Sequence, residues 1–145
     1  MRFSLLILAL LAAGCNTRPT QETVAATTPD APLRETRWVL RQLGSQRVMV
    51  PAKTREAFLT LRTDGTAEGN GSCNRFRGSF FSETESELKF SPLMSTRMNC
   101  PAIDTENGFV RALGQANSYQ ISGDTLRVMD ASGAAVARLE AVYLK

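Results

Sequence analysis

Histidine is absent from all 145 residues. Imidazole acid–base chemistry, Ser-His-Asp and Cys-His nucleophile pairs, and every histidine metal site are thereby excluded. Charge of one sign is also scarce in excess, with 17 Lys and Arg against 14 Asp and Glu. So small a surplus makes no nucleic-acid footprint. Cysteine occurs three times, never as Cys-X-X-Cys, and Gly-Lys-Ser/Thr does not occur. A disulfide exchanger and a phosphate loop therefore lack their signatures. No run is long enough to span a bilayer, which takes about 20 apolar residues. What remains, 43% apolar and 21% charged residues, is the profile of one ordinary globular domain.

The N-terminus carries an address. Arg2 precedes an apolar run from Phe3 to Ala13, broken only by Ser4, and polar Asn16, Thr17 and Arg18 follow Cys15. This is the basic n-region and short h-region of an export signal, residues 1–14, to be cleaved. Leu11-Ala12-Ala13-Gly14-Cys15 resembles the lipobox of bacterial lipoproteins, in which the cysteine is lipidated and becomes the first residue. An ordinary cleaved signal that happens to precede a cysteine is the alternative. Acyl chains contribute about 0.8 kcal/mol per buried methylene, so two or more make a stable membrane anchor at Cys15. Asn16, where an aspartate resembles an inner-membrane retention signal, points to the outer membrane, facing the periplasm. Residues 15–35 are rich in Thr, Pro and Ala and lack aromatics, the composition of a flexible tether. The domain is expected over residues 36–145.

Short β-type runs dominate that domain: Trp38 to Leu43, Ala57 to Leu61, a strand from Thr66, Phe76 to Phe81, Glu87 to Phe90, Ser118 to Ile121, Thr125 to Met129 and Ala135 to Val142. Asp64-Gly65 predicts a type I′ hairpin turn and Gly123-Asp124 another tight turn. One helix is expected between Pro101 and Ala116, with Ile103, Phe109, Val110 and Leu113 on its apolar face. Gly108 and Gly114 each weaken it by about 1 kcal/mol relative to Ala, so it must rely on packing. The reading is an α+β domain, compact and β-rich, a mostly antiparallel sheet with one main helix packed on it.

Four constellations bear on chemistry. Cys73 and Cys100 are the two cysteines left once Cys15 is lipidated, and in an exported chain a disulfide is the leading reading. Two buried thiols and redox chemistry are the alternatives. The glycine-rich stretch from Gly69 to Gly78 reads as a sharp turn, with Gly supplying positive φ and Asn74 bonding nearby backbone. Arg75 and Arg97 lie near the two cysteines, so a bridge would gather both guanidinium groups with Asn74 and Thr96. They would either bind an anion or, as is commoner, hold two segments together through carboxylates and carbonyls. Glu83, Glu85 and Glu87 alternate and would share one face of an extended strand. A glycosidase pair or a calcium site is unsupported there, and solvation of a hairpin or protection of an edge strand is the plainer reading.

Gly71-Ser72-Cys73-Asn74-Arg75-Phe76-Arg77-Gly78, then Leu93-Met94-Ser95-Thr96-Arg97-Met98-Asn99-Cys100, with Trp38-Val39-Leu40 upstream and Gly123-Asp124-Thr125-Leu126 downstream, resemble the META domain family. Heat-inducible outer-membrane lipoproteins belong to that family. The resemblance implies a compact β-rich α+β domain and, through similarity to pilot lipoproteins of secretion systems, a protein-binding shell. It supplies no catalytic residue, cofactor or metal to carry over. The expected function is therefore a noncatalytic envelope lipoprotein that binds a periplasmic or outer-membrane protein partner, with a part in stress tolerance. The alternative is a binder of a small anionic ligand using Arg75 and Arg97. A hydrolase working through Glu83 to Glu87 lacks a recognisable arrangement, and an inhibitor of host lysozyme is poorly matched, since a basic domain meets a cationic target.

Overall fold

The computed structural model describes residues 29–143. The signal segment, Cys15 and most of the tether lie outside the described residues. Ten strands and one helix follow in the order β1 (Trp38–Leu43), β2 (Gln46–Arg47), β3 (Phe58–Leu61), β4 (Thr66–Asn70), β5 (Arg75–Phe81), β6 (Lys89–Phe90), β7 (Met94–Ser95), α1 (Ile103–Gly114), β8 (Ser118–Ser122), β9 (Thr125–Met129) and β10 (Ala135–Ala141).

Every pairing is antiparallel, in the order β6-β5-β4-β3-β1-β10-β9-β8, with β2 beside β1 and β7 beside β5. The two ends of this order meet where Glu87 bridges Ser118 and Tyr119 N–H donates to the Ser86 carbonyl at 2.8 Å. The sheet is therefore a nearly closed barrel, an arrangement that leaves few unpaired edges. Alternation along each strand fills its interior: Trp38 and Leu40 from β1, Leu59 and Leu61 from β3, Phe76 and Phe80 from β5, Leu126 and Val128 from β9, Ala137 and Leu139 from β10. Each such large side chain contributes about 1.5–3 kcal/mol on burial. Trp38 donates its Nε1–H to the Leu33 carbonyl at 3.0 Å, so its one polar atom is satisfied.

α1 packs against β1, β6 and β10 and buries Glu106, Phe109, Ala112 and Leu113. Phe109 meets Phe76 edge to face, with ring centroids 5.8 Å apart. Of the apolar face expected from the sequence, Phe109 and Leu113 are buried, while Ile103 and Val110 are half-buried.

Two expectations need correction. The Asp64-Gly65 hairpin exists, but only Gly65 has positive φ, at +85°. Gly65 N–H donates to the Arg62 carbonyl and Arg62 N–H to the Thr66 carbonyl. That is a three-residue loop, a turn followed by a left-handed residue, and not a type I′ pair; Asp64 Oδ1 stabilises it by accepting from Thr66 N–H at 2.9 Å. Packing also begins before Thr36. Ala31 is buried, Asp30 Oδ1 accepts from Gly123 N–H at 2.7 Å, and Glu35 pairs with Arg62 at 2.8 Å. The last residues of the expected tether are thus part of the folded body.

Candidate functional site

The link between β4 and β5 is held from outside the hairpin. Gly71 lies against the Glu106 side chain so closely that a Cβ there would overlap the carboxylate. Glu106 Oε2 accepts from Asn74 N–H at 2.6 Å and from Cys73 N–H at 3.1 Å, and Oε1 accepts from Asn74 Nδ2 at 2.7 Å. Asn74, only 2% exposed, spends its remaining capacity on the segment before the helix. Its Oδ1 accepts from Thr96 Oγ1 at 2.9 Å and Met98 N–H at 2.7 Å, while Nδ2 also donates to the Met98 carbonyl at 2.8 Å. Both amide hydrogens and both lone pairs are thereby used. Cys73 is bonded to Cys100, with Cα atoms 5.7 Å apart, and the bond ties the same loop to the start of α1.

The turn expected over Gly69–Gly78 is present for a different reason. Gly69 and Gly71 are needed for close approach, and the left-handed residue is Ser72, at φ +104°. The sequence reading missed Glu106. Its signal was available: it falls three residues after Ile103 and three before Phe109, a lone carboxylate on the apolar face of the helix. A buried charge at such a position needs dedicated donors, and the hairpin supplies three. With both oxygens committed to N–H groups, this carboxylate is a structural clamp.

Arg75 and Arg97 do not act together. Both are exposed, and neither has a side-chain hydrogen bond or ion pair among the described residues. The expectation that they hold two segments together is overturned: Asn74 turns inward and makes that link, while Arg75 and Arg97 both lie at the surface. Thr96 joins Asn74, as described. Arg97 lines a cleft beside α1 with Leu93, Met98 and Val110.

Arg75 instead belongs to an open groove of about 610 Å³ on the outer face of β3, β4 and β5. Arg75 and Arg77 alternate outward along β5, Arg55 approaches from the segment before β3, Phe58 lines the groove with one ring face covered by the Arg37 guanidinium, 3.5 Å from the ring centroid, and Met94 of β7, 76% exposed, forms the rim. Glu68 is the one carboxylate in the lining, and Arg62 already holds it at 2.7 Å. An adjoining cleft of about 350 Å³ shares Arg55, Asn70, Arg75 and Thr96 with the groove and adds Lys53. The result is a basic track beside exposed apolar surface.

Several other charged groups are engaged. Arg41 sits between Glu56 and Glu140, each at 2.9 Å, and the Glu56 hydrogen bond is the main influence raising its pKa. Hydrogen bonds from Arg62 and then Thr63 N–H hold the Glu35 carboxyl below the usual range. Glu83 to Glu87 do not share a strand face: β6 begins only at Lys89, and Glu87 pairs with that lysine at 2.6 Å. Among the described residues no group of three or more Cys, Asp and Glu is disposed to hold a metal.

Against this geometry, a family model described as the META domain matches residues 31–143. Among solved structures, an NMR structure of a protein from Burkholderia xenovorans is 26% identical, with a TM-score of 0.58, over 88% of this chain and 98% of that one. A second NMR structure is 20% identical, with a TM-score of 0.59, over 74% and 90%. A crystal structure of a DUF4847 family protein from Bacteroides vulgatus is 17% identical, with a TM-score of 0.51, over 61% of each chain. The last two are likenesses of fold. No curated protein matches the chain.

Proposed function

The chain belongs to the META domain family, and from that premise we propose that it is a noncatalytic binding module of the bacterial envelope, anchored by lipid at Cys15 and recognising a protein partner. The observation that carries this reading is the open groove flanked by Arg55, Arg75, Arg77, Phe58 and Met94. Exposed arginines beside apolar side chains are the composition favoured at protein interfaces. Glu106, the one buried carboxylate among the described residues, has both oxygens bound by hairpin N–H groups. General acid–base work needs a group within reach of a substrate proton.

The signal and lipobox supply the address: outer membrane, periplasmic face, with stress tolerance as the role that the family resemblance suggests. A small anionic ligand held jointly by Arg75 and Arg97 is the weaker reading, since the two line different clefts. Crosslinking in intact cells tests the proposal. A defined envelope protein captured by the parent, and lost when Cys15→Ser releases the domain from the membrane, supports it; capture of nothing above background by the anchored parent contradicts it.

A further inference from the structure

We infer that the basic groove receives an extended acidic segment of the partner protein, its carboxylates on Arg55, Arg75 and Arg77 and one apolar side chain against Met94. This deepens the proposed function and rests on it. Spacing is the first argument. Arg75 and Arg77 are two residues apart on one face of β5, so their stems repeat at about 6.8 Å, the repeat of alternate side chains on an extended chain. A segment reading acid-X-acid matches that repeat, whereas a single phosphate would need its donors to converge on one point.

Charge is the second argument. Arg41 is neutralised by Glu56 and Glu140, and Arg62 by Glu35 and by Glu68 of the groove's own lining. The arginines of the groove have no ion pair among the described residues, and Lys53 prolongs the track through the adjoining cleft. Guanidinium groups aimed outward without partners suit paired recognition of carboxylates.

The test uses the full anchored chain in cells, with a photocrosslinking residue in place of Met94. The expected conjugate maps to a partner segment containing acid-X-acid. Arg75→Gln with Arg77→Gln lowers its yield at least tenfold, while Arg97→Gln leaves it unchanged. Should the double variant melt below the parent, Arg75→Glu with Arg77→Glu is used together with Lys substitutions at the mapped acidic residues, and restored crosslinking supports the inference. A conjugate with lipid alone, one mapping to a segment without carboxylates, or a yield unaffected by the arginine changes overturns it. The same crosslinker at Phe81 and at Tyr143 separates the two claims. Protein capture there but none from Met94 sinks the groove and keeps the partner, whereas capture from none of the three sinks both.

Discussion

Asn74 and its neighbour Arg75 show how one residue step divides structure from recognition. Asn74 points inward and makes four side-chain hydrogen bonds; Arg75 points outward and makes none among the described residues. Asn74→Ala strands the buried Glu106 carboxylate and takes from Thr96 and the Met98 backbone the partner that ties them to the hairpin. Each buried group left unpaired costs about 1–3 kcal/mol, so urea denaturation should show a loss of about 2–4 kcal/mol. Arg75→Ala and Arg97→Ala should each stay within about 0.5 kcal/mol of the parent in the same assay. The motif was legible in the sequence but its sidedness was not, because register depends on pairing with β4 and β7 and not on local composition. A pH dependence belongs to the same scale. Glu35, Asp64 and Asp130 have carboxyls held below their ordinary range, by Arg62, by Thr66 N–H and by Ser132 respectively as the leading causes. A carboxyl with a lowered folded pKa contributes stability above its unfolded value and loses it as pH falls through the folded one. The melting temperature should thus hold level from about pH 7 to 5 and decline below about pH 4; a rise on acidification would contradict the assignment.

Elements long enough to show a period were readable. The alternation in β5, β9 and β10 and the helical spacing of Phe109 and Leu113 each sufficed, because those patterns reflect which face meets the core. β2 and β7 have two residues each, too few to carry a period, and they exist because β1 and β5 offer edges. The start of the folded body at Asp30 was hidden for a similar reason: its partner is the Gly123 turn, far along the chain. The hairpin turns were legible as turns, and their type was not, since Asp64 accepts from Thr66 N–H without entering the left-handed region. Gly65→Ala should cost about 1 kcal/mol or more for that reason. The disulfide is the strongest cross-element tie. Its sequence separation of 27 gives about 3.5 kcal/mol by the loop-closure relation. Cys73→Ala with Cys100→Ala should lower stability by about that amount in a denaturant titration, and nonreducing digestion of the parent should yield one linked peptide pair.

At the scale of the whole molecule, a nearly closed barrel keeps its hydrogen-bonding edges to itself and leaves the outer face of β3–β5 as the surface offered to others. The anchor read at Cys15 would set that surface in the envelope, and Cys15→Ser should move the protein from the detergent phase to the aqueous phase. The central claim is a division of labour: an interior clamp of Asn74, Glu106 and the disulfide builds the domain, while outward arginines recognise the partner. One paired measurement tests it, the melting temperature and the in-cell partner capture of Asn74→Ala and of Arg75→Gln with Arg77→Gln. The account predicts that Asn74→Ala melts well below the parent, whereas the arginine variant melts with the parent and loses capture. An arginine variant that unfolds early, or that melts normally and still captures the partner in full, would contradict it.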